Sequence, residues 1–122
     1  MRRQHGIVLV FPDDETRVTL EVILKREGWA VFTTDSGPDA LELIHDSMPV
    51  LVITEMRLPR GNGLELIRTV RSEDRLSALR IIATGEEASR EEAVGAGADL
   101  FVAVPAAPHQ LARSVVQLVG RP

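Results

Sequence analysis

No cysteine occurs anywhere in the 122 residues, so neither a disulfide framework nor a thiolate metal site is possible. Tyrosine is absent too, and one tryptophan with three phenylalanines makes the chain only 3% aromatic, too little for a base-stacking platform that holds single-stranded nucleic acid. Positive charge is in deficit. Fourteen Lys and Arg against 18 Asp and Glu give a formal net charge of -4, which offers no basic field to a phosphate backbone, and the Met1-Arg2-Arg3 start is too short for a basic arm. The chain also lacks a long apolar run: the stretch after Gly6 holds five residues before Pro12, far from the roughly 20 that cross a bilayer. These absences exclude nucleic-acid binding by this domain and membrane insertion, and they make the cytoplasm the expected location. What remains is ordinary globular composition, 44% hydrophobic and 26% charged, in one domain's worth of chain.

The hydrophobic period switches repeatedly between two kinds. Strand-like runs are Ile7-Val8-Leu9-Val10-Phe11, Ala30-Val31-Phe32-Thr33, Leu51-Val52-Ile53-Thr54, Arg80-Ile81-Ile82-Ala83-Thr84 and Leu100-Phe101-Val102-Ala103. Several show no polar alternation, as expected of parallel strands covered on both faces. Helical patterns lie between them. Residues 16–27 place Leu20, Ile23 and Leu24 on one face and stop at Gly28, and residues 36–47 carry Ala40, Leu41 and Ile44 and stop before Pro49. Residues 63–72 carry Leu64, Ile67 and Val70, residues 86–96 give a weaker, alanine-rich pattern, and residues 108–119 align Leu111, Val115 and Leu118 behind Pro108. The order is a βα unit repeated five times in one domain over residues 1–122, with right-handed crossovers. The Gly120-Arg121-Pro122 tail directly after the last helix fits an N-terminal domain of a longer protein.

In such a fold the strand C-termini converge on one edge, where open α/β sheets place their chemistry. They deliver Phe11, Pro12, Asp13 and Asp14 after the first strand, Glu55 after the third, Thr84 and Gly85 after the fourth, and Val104 and Pro105 after the fifth. Glu55 stands out, because it follows a nearly all-apolar strand and precedes a turn-rich run. With Asp13 and Asp14 it would supply three carboxylates suited to Mg²⁺. The simpler reading has Asp13 and Asp14 opening the first helix, where free N–H groups and the helix dipole favour acids, and capping is the preferred one. For Thr84 two readings stand side by side: a hydroxyl that donates to Glu55 or an anion, or a β-branched residue finishing a strand. Other polar residues carry less. His5, His45 and His109 share no metal-ligand spacing, the glycine turns match no phosphate-cradling fingerprint, and no serine lies in a G-x-S-x-G context. Trp29 is expected in the core or at its rim.

Taken together, these features resemble the receiver domain of bacterial two-component response regulators over essentially the whole chain. The resemblance rests on Pro49 through Leu66, with its strand, acceptor position and L-P-x-x-x-G at Leu58 to Gly63. It rests also on Thr84-Gly85, Gly97-Ala98-Asp99, a last strand ending in Pro105, and the junction Arg26-Glu27-Gly28-Trp29-Ala30-Val31. It implies a doubly wound, flavodoxin-like (βα)5 fold with strand order 2-1-3-4-5. It further implies a site that takes a phosphoryl group from a kinase phosphohistidine onto an aspartate. Such a site uses paired acids for Mg²⁺, a Thr or Ser on the phosphoryl group, and a Lys beside it.

The matching positions depart from that set. Phe11 and Pro12 stand where the paired acids belong, with Asp13 following; Glu55 stands at the acceptor position; Val104 replaces the lysine. Only Thr84 is intact. Phe101 on the fifth strand reads either as core or as partly exposed at an edge that binds partners, and in the resemblance it matches an aromatic switch position on the interaction surface; the segment between Thr84 and Gly97 is about two residues shorter than usual. The resemblance therefore implies an atypical pseudo-receiver: not an enzyme, with no catalytic residue, no metal and no required cofactor. It would act through protein partners or self-association on its fourth helix, fifth strand and fifth helix. The alternative is a residual receiver that still binds Mg²⁺ weakly, or accepts a phosphoryl group, and regulates an attached DNA-binding output domain.

Overall fold

The computed structural model describes residues 5–122; the Met1-Arg2-Arg3 start lies outside them. Five strands, β1 Gly6–Val10, β2 Ala30–Thr34, β3 Leu51–Glu55, β4 Arg80–Gly85 and β5 Leu100–Ala103, alternate with five helices. The helices are α1 Asp14–Arg26, α2 Gly37–Ser47, α3 Gly63–Ser72, α4 Arg90–Ala96 and α5 Pro108–Val119. The sheet is parallel throughout in the order β2-β1-β3-β4-β5, as the resemblance implied. No helix among the described residues is long and apolar enough to cross a membrane.

Strand side chains alternate between faces with period two, and this divides the core into two layers. Val8, Val10, Val52, Ile81 and Ala83 pack with Ala40, Ile44, Ile67 and Val70 beneath α2 and α3. Ile7, Leu9, Phe11, Ile53 and Ile82 pack on the other side with Leu20, Leu24, Leu111 and Val115 of α1 and α5. Trp29 joins this second layer at 4% exposure, its indole N–H without a hydrogen-bond partner among the described residues.

Several strand ends shift by one residue, and three differences from the sequence expectation have a clear local cause. Helix α1 starts at Asp14, two residues earlier than the apolar pattern indicated, because Asp13 is its N-cap and accepts from the Thr16 N–H at 2.8 Å. Strand β1 ends at Val10. Phe11 still donates to the Thr34 carbonyl at 3.1 Å, but Pro12 has no N–H with which to continue the ladder. The 86–96 segment is not one helix: a 3-10 turn at Glu87–Ser89 precedes a short α4 at Arg90–Ala96, consistent with its weak pattern and with Gly95 in its last turn.

At the N-terminal edge of the sheet one ionic group ties three elements together. Arg71 donates to the Gly97 carbonyl at 2.9 Å and the Leu79 carbonyl at 2.7 Å, and pairs with Asp99 at 2.9 Å. The same Asp99 carboxylate accepts the Ile81 N–H at 2.8 Å and lies 3.5 Å from Arg80. The Gly97-Ala98-Asp99 turn thus joins the end of α3 to the starts of β4 and β5.

Candidate signalling cleft

Glu55 closes β3 in register with Thr84 on β4. The chain then turns sharply: the Met56 N–H donates to the Thr84 carbonyl at 2.8 Å, and the Gly63 N–H donates back to the Met56 carbonyl at 2.9 Å. Glu55 is half-buried, and its carboxylate has no hydrogen-bond or ion-pair partner among the described residues. Burial, and secondarily the negative charge of Asp13, hold its pKa above the ordinary glutamate value.

A cleft of about 310 Å³ opens at this edge, walled by Glu55, Met56, Gly85, Ala88 and Val104, with Arg57, Glu86 and Ser89 also lining it. Arg57 is almost fully exposed and lies 3.7 Å from Glu86. Val104 places an apolar side chain, 40% exposed, beside the cleft, while its N–H donates to the Gly85 carbonyl at 2.9 Å. Thr84 is 1% exposed, and its hydroxyl has no partner among the described residues, so it does not donate to Glu55. Of its two sequence readings, the structure shows a buried strand end with hydrogen-bonding capacity left over.

The less favoured reading, an acid trio, is not what the contacts show. Asp13 accepts from the Thr16 N–H and, at 2.6 Å, from the Thr16 hydroxyl, and these bonds hold its pKa below the usual carboxylate range. Asp14 is 85% exposed and pairs with Arg17 one turn along α1. Pro12 is exposed, and Phe11 is buried in the core at 1% exposure. Capping, the preferred sequence reading of Asp13 and Asp14, is what their contacts show. No group of three His, Asp or Glu among the described residues is placed to hold a metal ion.

Phe101 is not on the surface. It is 5% exposed, packed in the layer with Met56, and the Arg90 guanidinium lies over its ring 5.0 Å from the centroid. Arg90 also donates to the Phe101 carbonyl at 3.3 Å and to Glu87 at 3.0 Å. Sequence reasoning missed Arg57, Glu86, Ser89 and Arg90 at this edge. The available signal was their place in the segments that follow the ends of β3 and β4.

A sequence model of the response regulator receiver domain matches residues 7–116. The chain belongs to this family. As a receiver domain it is 33% identical over 119 residues to the transcriptional regulatory protein GltR of Pseudomonas aeruginosa, an alignment covering 95% of this chain and 49% of that protein. The chain spans about half the length of the curated relatives it matches. A response regulator structure from Chloroflexus aurantiacus superposes with a TM-score of 0.87 at 27% identity, covering 98% of this chain and 100% of that one. A chemotaxis response regulator of Vibrio cholerae shares the fold at a TM-score of 0.88 and 19% identity, over 95% of this chain and 99% of that one.

The receiver resemblance implies Mg²⁺, and the residues at this edge do not fit it. A hard divalent cation requires several convergent oxygens. Of the residues that follow β1, Phe11 is an apolar core residue, Pro12 offers no side-chain oxygen, and Asp13 spends its carboxylate on a helix cap.

The raised pKa of Glu55 gives a prediction with a definite sign. A carboxyl whose folded-state pKa exceeds its unfolded value adds nothing unfavourable while protonated in both states, and stability is lost as pH rises through the folded pKa. Glu55→Gln is therefore expected to raise the thermal midpoint at neutral pH. Its advantage should shrink on acidification and vanish below about pH 4, under the unfolded glutamate pKa. Paired melts of the two proteins across pH check this, and an advantage that grows towards acid contradicts it.

Proposed function

We propose that this receiver domain signals through a fixed surface, without accepting a phosphoryl group. The observation that carries this reading is the position of Phe11: the residue where the first pocket acid belongs is a core side chain, so the acid pair is structurally displaced. Val104 supports it by leaving no cation beside Glu55 at the site of transfer, since a transferring phosphoryl group needs its developing charge neutralised. Glu55 extends one methylene farther than an aspartate and carries a permanent carboxylate, part of the length and charge of a phosphoaspartate. That offset places it poorly for transfer, where displacements of about 1 Å cost on the order of a hundredfold. Arg90 over Phe101 supports a single buried setting of the aromatic ring.

In this reading the domain has no catalytic residue of its own and works in the cytoplasm by contact with protein partners or a second copy through α4, β5 and α5. Val94, 50% exposed on α4, suits that role. The roughly doubled length of relatives named as transcriptional regulators supports an attached output domain that makes the nucleic-acid contact.

The test is intact-mass measurement after incubation with acetyl phosphate and Mg²⁺. An unchanged mass is expected, under conditions in which an aspartate-bearing receiver gains a phosphoryl group. A hydroxylamine-labile phosphoryl adduct mapped to Glu55, Asp13 or Asp14 would establish instead the residual receiver of the alternative reading.

A further inference from the structure

The Glu55 carboxylate is half-buried at the wall of the 310 Å³ cleft without a partner among the described residues. Burial already disfavours its charge, and Asp13 disfavours it further. A carboxylate in that position is normally matched by an internal cation. The structure offers none: Val104 contributes only methyl groups, and Arg57 stands at the rim near Glu86. The charged lining is Glu55, Glu86 and Arg57, with Asp13 acting on Glu55 from the start of α1, so the cleft is net negative. Its other walls are Met56, Gly85, Ala88 and Val104.

Register puts Glu55 and Thr84 opposite each other on neighbouring parallel strands, so both side chains leave the same face of the sheet. The Thr84 hydroxyl is buried, has no partner among the described residues and does not line the cleft, so the Glu55 carboxylate is the polar anchor the cleft itself offers. Apolar walls around an unpaired carboxylate complement a group with an alkyl stem and a cationic, multiply donating head.

We propose that this cleft receives a basic side chain, the ammonium of a lysine or the guanidinium of an arginine, presented by another protein. The stem lies along Val104 and Met56 while the head pairs with Glu55. Charge complementarity selects the occupant: an anion would meet Glu55 and Asp13, and a neutral apolar group would leave Glu55 buried and unpaired. The proposal rests on the reading that Glu55 remains a free carboxylate. It gives that reading a recognition chemistry, in which the cation that the domain lacks comes from its partner.

The test is a titration followed by amide chemical shifts at constant ionic strength, with no phosphodonor present. The probes are n-butylammonium, the acetylated and amidated tripeptide Ala-Lys-Ala, spermidine, and n-butanol as the uncharged control. For so small a head group, binding on the order of millimolar is expected for n-butylammonium and the peptide. Saturable shifts should centre on Glu55, Met56, Gly85, Ala88 and Val104. n-Butanol should bind at least about tenfold more weakly, the equivalent of one charged contact. Glu55→Gln should abolish the response, and so should Val104→Lys, which keeps Glu55 but supplies an internal cation.

Equal responses to n-butanol and n-butylammonium would overturn the proposal, as would no response up to roughly 100 mM, a range that covers even very weak binding. Saturation by spermidine but not by the peptide would overturn the choice of a protein side chain. Phosphoryl uptake, measured separately by mass, overturns the phosphorylation-independent reading and leaves the cleft result on the unmodified protein standing.

Discussion

Phe11→Asp is expected to unfold the domain and not to create a Mg²⁺ pocket. A simple comparison of positions suggests the opposite, because this substitution restores an acid where receivers carry one. In this fold, however, Phe11 is among the largest fully buried side chains and shares an apolar layer with Leu20, Leu24 and Leu111. Removing a buried phenylalanine ring alone costs about 3–5 kcal/mol. The new carboxylate would add the penalty of an unpaired buried charge, or of raising its pKa until it is neutral. A loss of at least about 4 kcal/mol takes much of the roughly 5–15 kcal/mol by which domains are stable. Urea denaturation followed by far-UV circular dichroism reads this directly. A variant with an unchanged midpoint that also tightens on adding Mg²⁺ would show that Phe11 is free to leave the core, and the displaced acid pair would no longer support the proposed function.

Two alanine substitutions of glycine should move stability in opposite directions. A Cβ at Gly63 would lie 2.3 Å from the Glu55 carbonyl oxygen and 2.9 Å from the Met56 Cα. Both are backbone atoms at the very turn that sets the Glu55 carboxylate, so no side-chain rotation relieves the clash. Gly63→Ala should cost about 3 kcal/mol, the upper range for overpacking, and should shift the resonances of Glu55 and Met56. At Gly95, exposed in α4, a Cβ meets nothing within 4 Å. Gly95→Ala should therefore stabilise by about 0.5–1 kcal/mol through helix propensity and a less flexible unfolded chain. Chemical denaturation of both variants checks the pair. A neutral Gly63→Ala would mean that α3 does not pack on the backbone after β3 as described.

The fold was legible in the sequence for reasons that operate within a few residues. Short β-branched apolar runs such as Leu51-Val52-Ile53, bounded by Pro49 and a turn-rich segment, fit covered strands better than helices, and the faces carrying Leu20 with Leu24 and Leu111 with Val115 pack as their spacing indicates. Boundaries were less legible. Asp13 is a cap candidate from sequence, yet the apolar pattern begins only at residue 16, because the first turn of α1 is polar and carries no periodic signal. The break of the 86–96 segment into a 3-10 turn and a short helix depends on tertiary neighbours, with Arg90 reaching both Glu87 and the Phe101 carbonyl.

The site was legible in its position and not in its contacts. Glu55, Thr84 and Val104 converge as strand order requires. No local pattern revealed that Phe101 is covered by Arg90, since the two meet only when α4 packs on β5, and none revealed that the Thr84 hydroxyl is left unpaired. Those facts depend on side chains separated in sequence and set by packing.

The tie formed by Arg71, Asp99, Gly97 and Ile81 has a consequence for how such a domain changes over evolutionary time. It clamps the sheet at the edge opposite the cleft, through main-chain carbonyls and an amide that are indifferent to what sits at positions 55, 84 or 104. Mutations at half-buried position 55 and exposed position 104 can therefore drift with little threat to the scaffold, whereas Thr84 is held by its burial. Side chains mounted on this frame at the cleft can change their chemistry one at a time without losing the support beneath them.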